Sequence, residues 1–287
     1  MPLAPRILVI DGYIRSARDE LRAGGAEVAG ELYVAMLKRI LPSVRCDILY
    51  PSDPGAALPT GQALAGYDGI AWTGCSLTVY HDTPEVRGQV ELARAGFESQ
   101  VPSFGSCWAA QIAIVAAGGI VQANPRGREM GIARKIALTP EGRGHPMYAG
   151  KTSVFDAFIS HDDEITHLPP GAVLLASNAF SHVQAVSVVH RGGVFWALQY
   201  HPEYDLHEMA RLSWCRIEKL VKRGFFKDRV ACEDYIRLLE ALHRDPARKD
   251  IAWLLGVDDD VMNVDVRTLE VRNWLEALVL PTMAQRR

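Results

Sequence analysis

The stretch that most narrows what this chain can fold into runs from Val101 to Gly119, VPSFGSCWAAQIAIVAAGG. A short strand reaches Gly105-Ser106-Cys107, and a helical pattern starts at once with Trp108-Ala109-Ala110-Gln111. Small residues flank the cysteine because a tight strand-to-helix turn has no room for bulk, and such a turn lifts its central side chain above the sheet. A cysteine there stands at a helix N-terminus, where free N–H groups and the helix dipole favour thiolate over thiol. Taken alone, the stretch leaves two readings of Cys107: an activated nucleophile, or a small buried side chain packed beside Trp108.

The surrounding pattern supplies a sheet for such a turn. Arg6 to Gly12 is a nearly continuous apolar run ended by Asp-Gly, as in a buried parallel strand. A helical stretch follows from about Ala17 to Ile40, interrupted at Gly24 and Gly25. Then come strand-like Cys46 to Tyr50, a Pro- and Gly-rich loop over 51–60, strand-like Gly69 to Trp72, and a helical stretch from Pro84 to Ser99. This alternation predicts an α/β fold: a three-layer, doubly wound, mostly parallel central sheet of the flavodoxin-like kind, with sites at the carboxyl ends of its strands. After Gly119, short runs such as MGIARKIAL, SVFDAFIS and VFWALQY predict a strand-rich, partly antiparallel second half. Helical patterns return at Leu206 to Arg223 and at Val271, Trp274, Leu275 and Leu278.

Charge divides the chain unevenly. Residues 205–287 carry 30 charged side chains, 15 of each sign, whereas the first 204 residues carry 35. The expected division is a catalytic domain over 1–224 and a helical C-terminal extension over 225–287, with the extension as a cap that leaves room for a homodimer contact or a position over the site mouth. With 31 Lys and Arg against 34 Asp and Glu, no basic field is available, so neither nucleic acid nor a membrane surface is an expected partner. The opening MPLAPRILVIDGY has an apolar run of only five residues, shorter than a signal-peptide core or a membrane span, which predicts a cytoplasmic location. Five cysteines, an odd number without a CxxC pair, argue against a disulfide framework and a zinc ribbon.

The second chemical element is ALQYHPEY, Ala197 to Tyr204. An apolar strand ends at His201, Pro202 stops the ladder, and Glu203 follows two residues after the histidine. In extended chain, positions i and i+2 share a side, so Glu203 can lie against His201 and fix its tautomer. Cys107, His201 and Glu203, at the ends of two predicted strands, compose a nucleophile, a base and an orienting group.

Together, G-S-C-W-A-A-Q and the downstream H-P-E resemble the class I glutamine amidotransferase family over about residues 6–223. Thr73-Gly74-Cys75-Ser76, Arg128-Glu129-Met130-Gly131 and Ser160-His161-Asp162-Asp163 are similar to the family's glycine loop, E-x-G and S-H-x-D segments. The resemblance implies that Cys107 attacks a glutamine side-chain amide. It assigns His201 as acid and base with Glu203 behind it, the backbone N–H groups of Gly74 and Trp108 as oxyanion donors, and Gln111, Ser160 and His161 as substrate contacts, the last two through main chain. No cofactor and no metal are expected. The substrate would be glutamine or another γ-glutamyl compound; since no phosphate-binding loop is readable here, either a synthetase that uses the ammonia is a separate protein or the chain acts alone. Three readings follow: a glutaminase or amidotransferase subunit, a γ-glutamyl hydrolase or peptidase with the same three residues, and a catalytically silent binding module. Ala109 stands where the family has glycine, which would narrow the pocket or alter how the helix meets the sheet. A zwitterionic substrate predicts a neutral pocket, with Asp162 and Asp163 in a solvated turn or cap, and Cys75 as a packed thiol. His201, Glu203 and His207 do not keep a metal-ligand spacing, because Pro202 and the change to helix separate them.

Overall fold

The computed structural model describes residues 4–286. Its first half alternates as the periodicity predicts: β1 (Arg6–Ile10), α1 (Arg15–Ala23), α2 (Ala29–Ile40), β2 (Arg45–Leu49), the single turn α3 (Gly61–Leu64), β3 (Gly69–Trp72), α4 (Pro84–Ser99), β4 (Ser103–Ser106) and α5 (Trp108–Ala116). The helix boundaries have local causes. Thr83 Oγ1 accepts the Val86 N–H to cap α4, Pro84 occupies its first position, and Gln100 ends it in the left-handed region. Gly25, at φ +79°, lets the chain turn between α1 and α2, so the single long helical stretch is two helices.

Strands dominate the next section: β5 (Ile120–Ala123), β6 (Glu129–Leu138), the short helix α6 (Pro140–Gly144), β7 (Val154–His161), β8 (Asp163–His167), β9 (Ala172–Ser177), β10 (Ala185–His190) and β11 (Gly193–Leu198). The main sheet has nine strands in the order β2-β1-β3-β4-β11-β10-β9-β6-β7. From β2 to β11 neighbours run parallel; from β11 outward to β7 they run antiparallel. β5 and β8 form a separate antiparallel ribbon. The parallel half carries α4 and α5 on one face and α2 on the other, the three-layer α/β arrangement. β4 and β11, which carry the cysteine turn and the His-Pro-Glu segment, are direct neighbours in that half, with Ser106 paired to Leu198.

The last third is helical: α7 (Leu206–Cys215), α8 (Ile217–Lys222), α9 (Arg229–Arg244), α10 (Lys249–Leu255), the single turns α11 (Asp259–Met262) and α12 (Val264–Arg267), α13 (Leu269–Trp274), a π-helical turn (Leu275–Val279) and α14 (Leu280–Arg286). Its pieces cover two different faces. Cys232, Ile236, Leu239 and Leu242 of α9 pack with Leu206, Met209 and Leu212 of α7. Val271, Trp274, Leu275 and Val279 instead enter the core under the parallel strands, beside Tyr33, Leu37 and Phe104. Gly69 makes that docking feasible, because a Cβ on it would lie 3.0 Å from the Trp274 ring. Buried Glu270 accepts from Tyr200 Oη at 2.7 Å and pairs with Lys151 Nζ at 3.0 Å, tying this segment to the residue before His201.

Candidate active site

The turn between β4 and α5 places Cys107 at φ 55°, ψ −101°, a conformation that side chains other than glycine rarely adopt and that costs about 1–3 kcal/mol. The Cys107 N–H donates to Leu198 O at 2.7 Å, which anchors the strained residue to β11. Its thiol sits 3.6 Å from Ser160 O. Ala109, in place of the family glycine, points its methyl inward: a Cβ on Gly105 would lie 2.4 Å from it, so the missing Gly105 side chain makes the room that Ala109 fills. Ala109 is buried and is not among the residues that line the cavity.

His201 emerges just past β11, its N–H donating to Phe158 O at 2.8 Å. Its Nδ1 donates to Glu203 Oε1 at 2.7 Å, the contact that the two-residue spacing predicts. The same oxygen accepts from Ser106 Oγ at 2.9 Å, and Ser106 Oγ accepts from Tyr33 Oη at 2.6 Å, so the carboxylate is held from two directions inside the core. Tyr204 stacks flat on the His201 ring, centroids 4.0 Å apart and planes 5° from parallel. Nε2 remains without a settled partner, within reach of the Cys107 thiol. Burial alone would depress the imidazolium pKa, but the charges of Glu203 and of the Cys107 thiolate outweigh it and raise the value from 6.5 to about 9. The raised value keeps the His201 ring protonated near neutral pH, a proton donor beside the thiol.

Gly74 fits between these groups only because it lacks a side chain: a Cβ there would lie 2.9 Å from His201 Cε1 and 3.4 Å from Cys107 Cβ. Among the described residues, neither the Gly74 nor the Trp108 N–H has a protein acceptor. Trp108 is fixed by its ring N–H, which donates to Gln89 Oε1 at 2.8 Å. Cys75 lines the same cavity, and burial pushes its thiol well above the ordinary range.

The cavity beside Cys107 has a volume of about 270 Å³, and Trp108, Gln111, Ser160, His161 and His201 contribute to its wall. The eight residues singled out in the sequence are thus gathered around one cavity, Gly74 against Cys107 and Glu203 behind His201. His161 adds a second histidine with a carboxylate: its Nε2 is 2.9 Å from Glu129 Oε2 and its Nδ1 2.7 Å from Asp163 O. Both ring nitrogens are therefore committed, and the ring braces the Ser160 to Asp163 wall.

Two expectations are corrected. The pocket is not neutral, because Arg128, Arg216, Lys219 and Arg223 line it against Asp162 and Asp163. Nor do those acids form a solvated turn: Asp162 bridges Arg128 and Arg223, and Asp163 is buried and accepts from Tyr80 Oη at 2.8 Å. Sequence reasoning did not single out Tyr13, Tyr204 or Arg216, which also line the cavity. Tyr204 could have been found from its place three residues beyond His201. Arg216 could not, being one of several basic residues on a helical stretch.

Comparisons with known proteins concern the family and the fold. The sequence model of the family described as glutamine amidotransferase class-I matches residues 38–212. A gamma-glutamyl-L-1-hydroxyisopropylamide hydrolase from a Pseudomonas species is 34% identical over 282 residues, which cover 96% of this chain and 94% of that protein. A glutamine-hydrolyzing GMP synthase of Bordetella bronchiseptica is 28% identical over 74% of this chain but only 40% of its own length. The fold is that of a glutamine amidotransferase from Thermotoga maritima, with a TM-score of 0.64 at 17% identity over 96% of this chain and 98% of that one. A glutamine amidotransferase from Methylobacillus flagellatus also gives 0.64, at 19% identity over 97% and 95% of the two chains. No described helix is long and apolar enough to cross a membrane. The chain belongs to the class I glutamine amidotransferase family.

Proposed function

We propose that the protein hydrolyses the γ-amide bond of glutamine or of a γ-glutamylated amine through a thioester on Cys107. The observation that carries this reading is the continuity of Glu203, His201 and Cys107, with Nε2 of a firmly oriented imidazole turned to a thiol at a strained helix start. The thiolate adds to the γ-carbonyl carbon, and the oxyanion that forms is received by the N–H groups of Gly74 and Trp108. The C–N bond breaks as His201 Nε2 gives its proton to the departing amine. His201 then takes a proton from water, the hydroxide adds to the thioester, and the C–S bond breaks to release the γ-carboxylate and the thiolate. Glu203 keeps the ring in the required tautomer and supports its positive charge. Residues 1–224 would form the catalytic unit and 225–287 its helical support.

The end-to-end similarity to a γ-glutamyl amide hydrolase favours an amine larger than ammonia as the leaving group. The GMP synthases extend far beyond the segment they share with this chain. Release of ammonia from L-glutamine, compared with release of amine from γ-glutamylalkylamides, decides between the two substrates. Cys107→Ala must abolish whichever activity is found; retained turnover in that variant excludes the thioester route.

A further inference from the structure

The mouth of the Cys107 cavity holds more positive charge than its own acids neutralise. Arg128 and Arg216 donate to the same oxygen, Ser160 Oγ, at 2.6 and 2.8 Å, so two guanidinium groups flank one hydroxyl. Like charges this close repel, and their burial makes the repulsion stronger than in water. Asp162 serves Arg128, but it is shared with Arg223. Arg216 reaches only the hydroxyls of Ser160 and Tyr13, and among the described residues it has no carboxylate partner; nor has Lys219. Burial, followed by the charge of Arg216, lowers the pKa of Arg128.

A bare helix cap or a structural ion pair would not leave a half-buried guanidinium facing a reactive cavity without an anion. Its planar fork matches a carboxylate through two parallel hydrogen bonds. We propose that Arg216, with Arg128 beside it, receives a carboxylate of the substrate while Cys107 attacks the γ-carbonyl. This assignment rests on the γ-glutamyl reading above. The carboxylate has two sources: the α-carboxylate of the γ-glutamyl group, or a carboxylate on the departing amine. An adjoining cavity of about 570 Å³, which shares Thr78, Arg128, Asp162, Asp163 and Arg223 with the first, gives a longer amine room to extend.

Two substrate pairs, each differing by one carboxylate, separate the sources: L-glutamine against 4-aminobutanamide, and γ-glutamylglycine against γ-glutamylmethylamide. For at least one pair the native enzyme is expected to prefer the carboxylate-bearing member roughly 10- to 100-fold in kcat/KM, mainly through KM. Arg216→Gln should collapse that preference towards unity, and Arg216→Lys should keep part of it. Loss in the first pair assigns the α-carboxylate, and loss in the second assigns the leaving amine. A purely structural Arg216 would lower both members of a pair equally, so preferences that survive Arg216→Gln in both pairs overturn the proposal. If the native enzyme hydrolyses none of the four, the γ-glutamyl reading itself fails. The receptor is then tested by calorimetric titration of Cys107→Ala protein, with and without Arg216→Gln, using L-glutamate against 4-aminobutyrate and γ-glutamylglycine against γ-glutamylmethylamide. Absence of any Arg216-dependent preference for the carboxylate-bearing ligand overturns the proposal there too.

Discussion

Two buried histidine and glutamate pairs face the same cavity and differ in what they leave free. His201 and Glu203 stand two residues apart at the end of one strand, and the 2.7 Å contact uses only Nδ1. His161 and Glu129 stand opposite each other on β7 and β6, and the ring is held at both nitrogens. Glu129 also accepts from Asn178 Nδ2 at 2.7 Å and Gln184 Nε2 at 3.0 Å, whereas Glu203 Oε2 has no partner among the described residues. Residue type, burial and distance are nearly the same in the two pairs. The difference lies in the number of uncommitted atoms: His201 keeps Nε2 free of a protein hydrogen bond, as the proton transfer proposed for it requires, whereas both ring nitrogens of His161 are engaged.

Substituting each histidine by glutamine is the strongest way to break this comparison. His201→Gln should lower kcat by about 10³- to 10⁴-fold with the fold intact, because the proton donor and acceptor is gone. His161→Gln should instead cost about 2–4 kcal/mol of stability and raise KM, because it opens a buried charged network without touching the reacting atoms. Amine release and chemical denaturation, measured on both variants, read the two effects. Equal losses of kcat would show that His161 belongs to the chemistry. The carboxylates should follow the same division at smaller size. Glu203→Gln is expected to reduce kcat by about 10²- to 10⁴-fold, and Glu129→Gln to act mainly on thermal stability.

How much of this was legible beforehand varies by element. The α4 boundaries follow from Thr83, Pro84 and the apolar spacing, all local signals, and they coincide with the sequence pattern. The Cys107 turn and the His201 to Glu203 contact were legible because each depends on one strand end and on neighbours one or two residues away. The second pair was not, because Glu129 and His161 meet only through the antiparallel register of β6 and β7, 32 residues apart. The cationic mouth was hidden for the same reason: Arg128 and Arg216 are 88 positions apart and meet at Ser160. Periodicity placed helices in the last third, but not the space beside Gly69 that lets Trp274 dock under the sheet while α9 packs on α7.

Titration offers a milder test of the same contrast. His201 has its pKa raised to about 9 in the folded protein, against 6.5 unfolded, by Glu203 and the Cys107 thiolate acting against burial. A group raised in this way adds stability that is fully present below about pH 6.5 and is lost as pH climbs through about 9. The native protein should therefore lose stability on the order of 3 kcal/mol across that window. His201→Gln should remove this part of the slope, and Cys107→Ala should shift it to lower pH by deleting one of the two anions. Urea denaturation at intervals of half a pH unit measures it. A slope unchanged in His201→Gln would assign the titration to another group.

The smallest effect should come from behind Glu203, and it tests how firmly the productive pair is held. Tyr33 is fully buried, and its hydroxyl donates to Ser106 Oγ, which in turn donates to Glu203 Oε1. Burial, then the Glu203 charge, pushes the Tyr33 pKa well up, so it stays a neutral donor throughout the working range. Tyr33→Phe removes only the outer link: Ser106 still donates to the carboxylate, and one buried acceptor site is left empty. The expected cost is about 1 kcal/mol in stability, with kcat within about threefold of native. Ser106→Ala should cost more, about 1–3 kcal/mol, because it strands the Tyr33 hydroxyl and takes a donor from Glu203 directly. If the two variants lose kcat equally and by more than tenfold, the hydroxyl chain sets the reactivity of His201 and the distinction between the two pairs extends beyond their uncommitted atoms. If only stability moves, and in that order, the contact between Nδ1 and Oε1 is sufficient to keep His201 aimed at Cys107.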